Sequence, residues 1–320
     1  MSTNLTINSR LSLLPIKDDE AWASYKEMQA MNWIAEEVDL SDDLRSYMSL
    51  NSREQELIKR VLAFFAGSDS IINANLATNF VNEIEGLEVS CVYSFQQMIE
   101  CVHQESYGQQ IEAIIRDKTE RTALLNSVNT NDAIRDKAKF AFKYMNRKIS
   151  LPKRLFAFCI AEGLHFQASF ATLAYFKTKN KLEGITKANE WISRDEWSHC
   201  RFSALMFKRH NNGLMDQEDA EKIMREAVGV EVAFVKDALD TGVLGLNDKL
   251  MTQFVKCVAD KILVLCGFKE MFGVENPLSF MNSYGVYTKN NFFESKPTNY
   301  QKPGVGQSTE ERSFALDVDF

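Results

Sequence analysis

The sequence predicts an all-α protein, a bundle of long helices. Three observations carry this. Only 14 Gly and 5 Pro occur in 320 residues, and most of the prolines lie near the ends of periodic segments. Apolar residues recur at helical spacing over stretches of roughly 20–35 residues, well beyond the mean helix of about 11–12. One segment, LFAFCIAEGLHFQASFATLAYF at 155–176, is apolar nearly all round, which places it at the buried centre of a bundle.

The elements follow in order. Residues 1–17 read as an extended arm, and 18–40 as a short helix and turn. Ser41 is positioned to cap the helix of SDDLRSYMSL. A long helix opens on the polar residues at 51 and runs to Gly86, and the next covers 87–117. A shorter helix covers 130–147. Pro152 near a first turn opens a helix to about 178. Further helices cover 185–211, 216–240 and 247–271. The pattern fades after Asn276-Pro277. This divides the chain into a helical domain with an N-terminal arm, 1–284, and a flexible C-terminal tail, 285–320. The last seven residues, Phe314 to Phe320 (FALDVDF), regain apolar side chains between acids. They read either as a docking peptide or as an ordinary frayed terminus.

A net charge of −7 leaves no basic footprint for nucleic acid. Six cysteines stand alone without a CxxC pair, most of them within apolar helical patterns, as expected in a reduced, cytoplasmic setting. The first twenty residues contain no long apolar run, so no secretory signal is expected. Segment 155–176 is long enough to span a bilayer, but its flanking helices are amphipathic and polar, so no membrane segment is expected. No Gly-rich phosphate loop is found.

The informative residues are acids inside apolar helices. Glu162 sits in the middle of the apolar segment, and Asp69 sits likewise in VLAFFAGSDSII. An ionised carboxylate buried without a partner costs several kcal/mol, so each must be protonated, ion-paired or bound to a cation. The spacing decides between these. Glu100-x-x-His103 recurs as Glu196-x-x-His199; Asp69 lies 31 residues before Glu100, and Glu162 lies 34 before Glu196. Two helix pairs, folded together, bring four carboxylates and two imidazoles to one point. That donor set matches the di-iron or di-manganese carboxylate sites of ferritin-like bundles, with Asp69 in place of one Glu. Glu162-Gly-Leu-His165 is a third Glu-x-x-His. The two-pair arithmetic is complete without His165, which reads as a packing histidine or a neighbour of the ligands. Tyr107 lies one turn beyond His103. It is either a core tyrosine donating one hydrogen bond or a phenol oxidised by the metals, with Phe166, Phe170 and Ile192 as its dry walls.

Taken together, FFAGSDSIINANL, SFQQMIECVHQESYG, FCIAEGLHFQASF and ISRDEWSHCRFSALMF resemble, in order, the metal-ligand segments of the small, radical-generating subunit of class I ribonucleotide reductase. MNWIAEEVDLS resembles that family's tryptophan segment, NPLSFM and NNFFE its late helical end, and FALDVDF its docking tail. The resemblance spans about residue 25 to 320. It implies a ferritin-like helical bundle with additional helices, in which Asp69, Glu100, His103, Glu162, Glu196 and His199 hold two iron ions, manganese being possible. It implies that the metals react with O2 to leave a radical on Tyr107. The hole then moves by way of Asp195, Trp33 and Tyr300 to a large catalytic subunit docked on Phe314 to Phe320, where ribonucleotides are reduced to deoxyribonucleotides. A homodimer is implied as well. Two residues depart from the pattern: Trp197 stands where the family usually has a small residue, and His165 where it generally has no ligand. A metal-storage bundle, a dimetal oxidase or hydroxylase, and a structural ion-pair network without metal are the rival readings.

Overall fold

The computed structural model describes residues 10–239 and 246–284. Among them there are helices and turns and no strand. The main helices are α1 (Asp19–Ala30), α2 (Asp43–Met48), α3 (Ser52–Asn75), α4 (Leu87–Ile114), α5 (Lys118–Leu125) and α6 (Asp132–Met145), followed by α7 (Leu151–Gly163), α8 (Gln167–Thr178), α9 (Glu183–Asn211), α10 (Gln217–Leu239) and α11 (Asp248–Leu265). The tail expected at 285–320, with Tyr300 and Phe314 to Phe320, lies outside the described residues.

Local chemistry sets the boundaries. Asn51 caps α3 reciprocally: its side chain accepts from the Arg53 and Glu54 N–H groups, and the Glu54 carboxylate accepts from the Asn51 N–H. Ser41 does not cap α2, which begins two residues later. The acid that follows has a longer-range task. Asp43 accepts from the N–H groups of Gly184 and Ile185 at 3.0 and 3.1 Å, capping the first turn of α9 from a distant part of the chain. Residue 184 must be glycine there, because a Cβ would lie 2.2 Å from the Asp39 carbonyl oxygen.

Three long helices expected from periodicity are interrupted. The first continues beyond α3 as a π-helical segment, Leu76–Phe80, before a last short turn. The apolar run 155–176 breaks at residues 164–166, between α7 and α8. There the His165 N–H reaches back five residues to the Ile160 carbonyl at 3.3 Å. The freed His165 carbonyl accepts from the buried Lys137 ammonium at 2.6 Å. The third, α11, stops at Leu265 instead of 271. Gly267, at φ +90°, turns the chain, with Gly267 N–H to Val264 O and Phe268 N–H to Leu263 O closing the end. The Asp260 carboxylate then gathers the N–H groups of Met271, Phe272 and Gly273.

The bundle centre consists of two antiparallel pairs, α3 with α4 and α7 with α9, with α8, α10 and α11 packed around them. The second pair is very close. A Cβ at Gly163 would come within 2.4 Å of Cys200 Sγ, so only glycine lets α7 and α9 approach this far. Around them lies one apolar cluster containing Leu57, Ile58, Phe65, Phe156, Phe170 and Phe202. No helix of the described residues is long and apolar enough to cross a membrane.

Candidate metal centre

Each of the four central helices contributes an acid to the interior. Asp69 comes from α3, Glu100 and His103 from α4, Glu162 from α7, and Glu196 and His199 from α9. Positions three apart on a helix share a face, so each Glu-x-x-His offers both side chains in one direction. All six side chains are buried, none more than 1% exposed. Their donor atoms form two groups: Glu100, Glu162, Glu196 and His199 in one; Asp69, Glu100 and His103 in the other. Within each group one atom from every residue lies within 4.8 Å of the rest.

The groups are joined by carboxylates that face both imidazoles. Glu100 Oε1 is 3.1 Å from His199 Nδ1, and its Oε2 is 3.4 Å from His103 Nδ1. Glu196 Oε1 is 3.0 Å from His103 Nδ1, and its Oε2 is 3.4 Å from His199 Nδ1. Asp69 and Glu162 stand at the two outer ends. Both oxygens of Asp69, Glu100 and Glu196, Glu162 Oε2 and both Nδ1 atoms lack a well-formed hydrogen bond among the described residues. So many converging, buried acceptors fit cations and little else.

The electrostatics agree. Burial, then the charges of Glu100 and Glu196, pushes the Asp69 carboxyl far above its ordinary range. Burial and Glu196 do the same to Glu162. Burial opposes charge on both histidines, yet the carboxylates around them overcome it and hold His103 and His199 well above the usual imidazole range. Burial opposes charge on Glu196 as well, yet the two imidazoles facing its oxygens hold its carboxyl below the usual carboxylate range. Without cations, protons thus do part of the neutralising.

Around this centre, Asp195 Oδ2 lies 3.3 Å from His103 Nε2 and accepts from Trp33 Nε1 at 2.7 Å. The Trp33 ring also stacks on His103, with centroids 5.9 Å apart. Tyr107 is buried, and its hydroxyl has no hydrogen-bond partner among the described residues. Burial and then the charge of Asp69 hold its pKa well above the ordinary phenol value. The ring stacks on Phe65 at 4.7 Å and 6°. Phe166 and Phe170, expected against Tyr107 itself, stack on Phe65 at 6.1 and 5.2 Å and form the next layer.

Sequence reasoning missed three contributors. Phe65 is one, four residues before Asp69 on the same face of α3. Gln96 is another, four before Glu100, donating to Glu162 Oε1 at 2.7 Å. The third is Arg194, which holds Asp195 Oδ1 at 3.0 Å while its guanidinium also reaches the Met31 carbonyl. Gln96 was legible from helical spacing; Phe65, one aromatic among several, and Arg194 were not. His165 belongs to neither donor group. It packs edge-to-face on Phe140 at 4.8 Å, and burial, then Lys137, lowers it to about 3, so the ring is neutral.

Fold and site together define a four-helix carboxylate protein with places for two metal ions between its helix pairs. A family model described as ribonucleotide reductase, small chain, matches residues 10–277. The chain is 40% identical over 312 residues to ribonucleoside-diphosphate reductase subunit M2 of Danio rerio, covering 97% of this chain and 81% of that protein. It is 39% identical over 312 residues to the ribonucleoside-diphosphate reductase small chain of Variola virus, covering 98% and 97%. The ribonucleotide reductase Rnr4 homodimer from Saccharomyces cerevisiae superimposes with a TM-score of 0.79 at 29% identity, covering 86% of this chain and 87% of that one. Streptococcus sanguinis dimanganese(II)-NrdF shares the fold, with a TM-score of 0.76 at 21% identity, covering 86% and 99%. The chain belongs to the ribonucleotide reductase small-chain family.

Proposed function

We propose that this chain is the small chain of a ribonucleoside-diphosphate reductase and keeps a one-electron oxidant on Tyr107 for a large catalytic subunit. The observation that carries the reading is the pair of donor groups sharing Glu100, with a buried, unpartnered phenol one turn away on the same helix. Asp69, Glu100, His103, Glu162, Glu196 and His199 would hold two iron ions; manganese suits the same oxygen and nitrogen donors. When bound, such a pair supplies the oxidising power, drawn from O2, that a phenol requires.

The remaining work belongs to the protein. Tyr107 is a neutral phenol, so loss of its electron is coupled to loss of the hydroxyl proton; a cationic phenol in an apolar box is costly. Phe65 covers the ring and offers no hydrogen atom as easily removed as a phenol's, while Phe166 and Phe170 close the box behind it. Asp195 ties Trp33 to His103, making a continuous polar path from the donors outward. Tyr300 would pass the hole on to the large subunit, Phe314 to Phe320 would dock that subunit, and the working form would be a homodimer.

A hydroxylase would need room for a substrate beside the donors. The space against His199, bordered by Met28, Met31, Asn32 and Phe95, does not admit a water molecule, and the cavity lined by Phe64, Gly67, Ala161 and Phe166 offers about 30 Å³, far too little for a substrate. The test is electron paramagnetic resonance after aerobic iron loading, with metal analysis. The expected result is two metal ions per chain and a tyrosyl signal that Tyr107→Phe abolishes. A signal unchanged in that variant overturns the assignment of Tyr107.

A further inference from the structure

Each described group assigned to the oxidation path lies at Trp33 or inward of it, and Trp33 is itself only 2% exposed. Electron exchange with solvent needs one step more. A second indole stands where that step falls. The Trp191 ring centroid is 5.3 Å from that of Trp33, with the planes at 55°. Trp191 is half-buried, so it bridges the interior and the surface. It precedes Asp195 by four residues on α9, so both side chains share the helix face that meets Trp33. Asp195 takes the Trp33 N–H and Trp191 takes its ring.

The charges on either side rank the two indoles. The Asp195 carboxylate at 2.7 Å favours positive charge on Trp33. The Lys187 ammonium, 5.2 Å from the Trp191 ring centroid and four residues before it, disfavours positive charge there. A hole therefore rests on Trp33 and visits Trp191 only in passing, which is the behaviour of a relay and not of a sink.

We propose that Trp191 is the relay residue that passes single electrons between Trp33 and a small one-electron reductant in solvent, of the ascorbate class. Trp191 gives one electron to the oxidised Trp33 and becomes a cation radical. The reductant then returns one electron to Trp191 and is itself oxidised by one. No bond forms or breaks at either indole, and both end closed-shell. The inference rests on the reading of Trp33 as part of the oxidation path.

The test begins with the metal-free protein, using flash photolysis with a dissolved one-electron photo-oxidant. The share of indole-radical absorbance removed by Trp33→Phe is that of Trp33. It is expected to appear in the wild type, to form roughly tenfold or more slowly in Trp191→Phe, and to recover in Trp191→Tyr, whose phenol can be oxidised where the Phe ring cannot. A merely structural Trp191 would not separate Phe from Tyr. Equal rates in wild type and Trp191→Phe, or no Trp33 share in the wild type, overturn the proposal. With metal-loaded protein and O2, disappearance of the Trp33 radical is expected to depend on ascorbate concentration in the wild type and to lose that dependence in Trp191→Phe. Unchanged dependence also overturns it. Absence of any tyrosyl signal would instead sink the reading of Tyr107, while the metal-free experiment still judges Trp191.

Discussion

At the scale of single residues, the centre is built from groups that are wrong for stability and right for cations. Tyr107 keeps a hydroxyl in the core without a hydrogen bond to any described residue. Removing an unsatisfied buried polar atom is neutral or stabilising, by up to about 1 kcal/mol. Metal-free Tyr107→Phe is therefore expected to melt at or above the wild-type temperature in calorimetry; a clear loss of stability would mean that the hydroxyl has a partner. Asp69 behaves alike with opposite consequences for loading. Both of its oxygens lack partners, and neighbouring carboxylates repel its charge. Asp69→Asn should leave the metal-free protein as stable or more so while reducing the rise in melting temperature on metal addition, since only the native state binds the ions. Equal metal-induced shifts in both proteins would remove Asp69 from the donor set. These residues were legible because an acid in an apolar helix is conspicuous; Phe65, an aromatic among aromatics, was not.

At the scale of elements, periodicity located the helices but not their interruptions. Residues 155–176 are apolar on every side, so no pattern marks where the backbone opens; the break is held by a partner from another helix. Lys137 of α6 donates to the His165 carbonyl and pairs with Glu231 of α10 at 2.8 Å, both side chains buried. Burial lowers Lys137 to about 8 and raises Glu231 to about 7, each against the attraction of the other. The signs follow. Glu231, raised when folded, contributes stability below its unfolded pKa of 4.5, and this is lost as pH rises through about 7. Lys137, lowered when folded, contributes above 10.5, and this is lost as pH falls through about 8. Between about 7 and 8 neither contribution remains, and the pair persists as a buried ion pair of small net worth. Urea melts of wild type minus Lys137→Met/Glu231→Leu should show a minimum in that window, and a flat difference would refute the shifts. The single variant Lys137→Met, leaving a buried carboxylate alone, should cost about 3 kcal/mol near pH 8 and less under acid conditions, where Glu231 is neutral.

At the scale of the whole molecule, the two-pair arithmetic of acid, helix, Glu-x-x-His was readable because it is periodic in the chain and convergent in space. The distances between pairs were not, since the closeness of α7 and α9 depends on Gly163 facing Cys200 and not on any donor. That closeness has a consequence for loading. Four groups at the centre favour their protonated forms in the metal-free protein: Asp69 and Glu162 through burial and like charge, His103 and His199 because surrounding carboxylates overcome burial. A ligand atom must shed its proton to bind a cation. The metal-free protein thus holds more protons than the loaded one, and loading must release them. The sign is fixed: apparent affinity rises with pH, and each proton released steepens the slope of log affinity against pH by about one. Titration calorimetry with manganese(II) under anaerobic conditions, in buffers of different ionisation enthalpy, counts these protons near neutral pH. Release is expected to fall in Asp69→Asn, which has no carboxyl proton to lose at that position. Loading without proton release, or with affinity falling as pH rises, would show that the centre keeps its acids ionised when empty, and some other charge would then have to balance four carboxylates around two imidazoles.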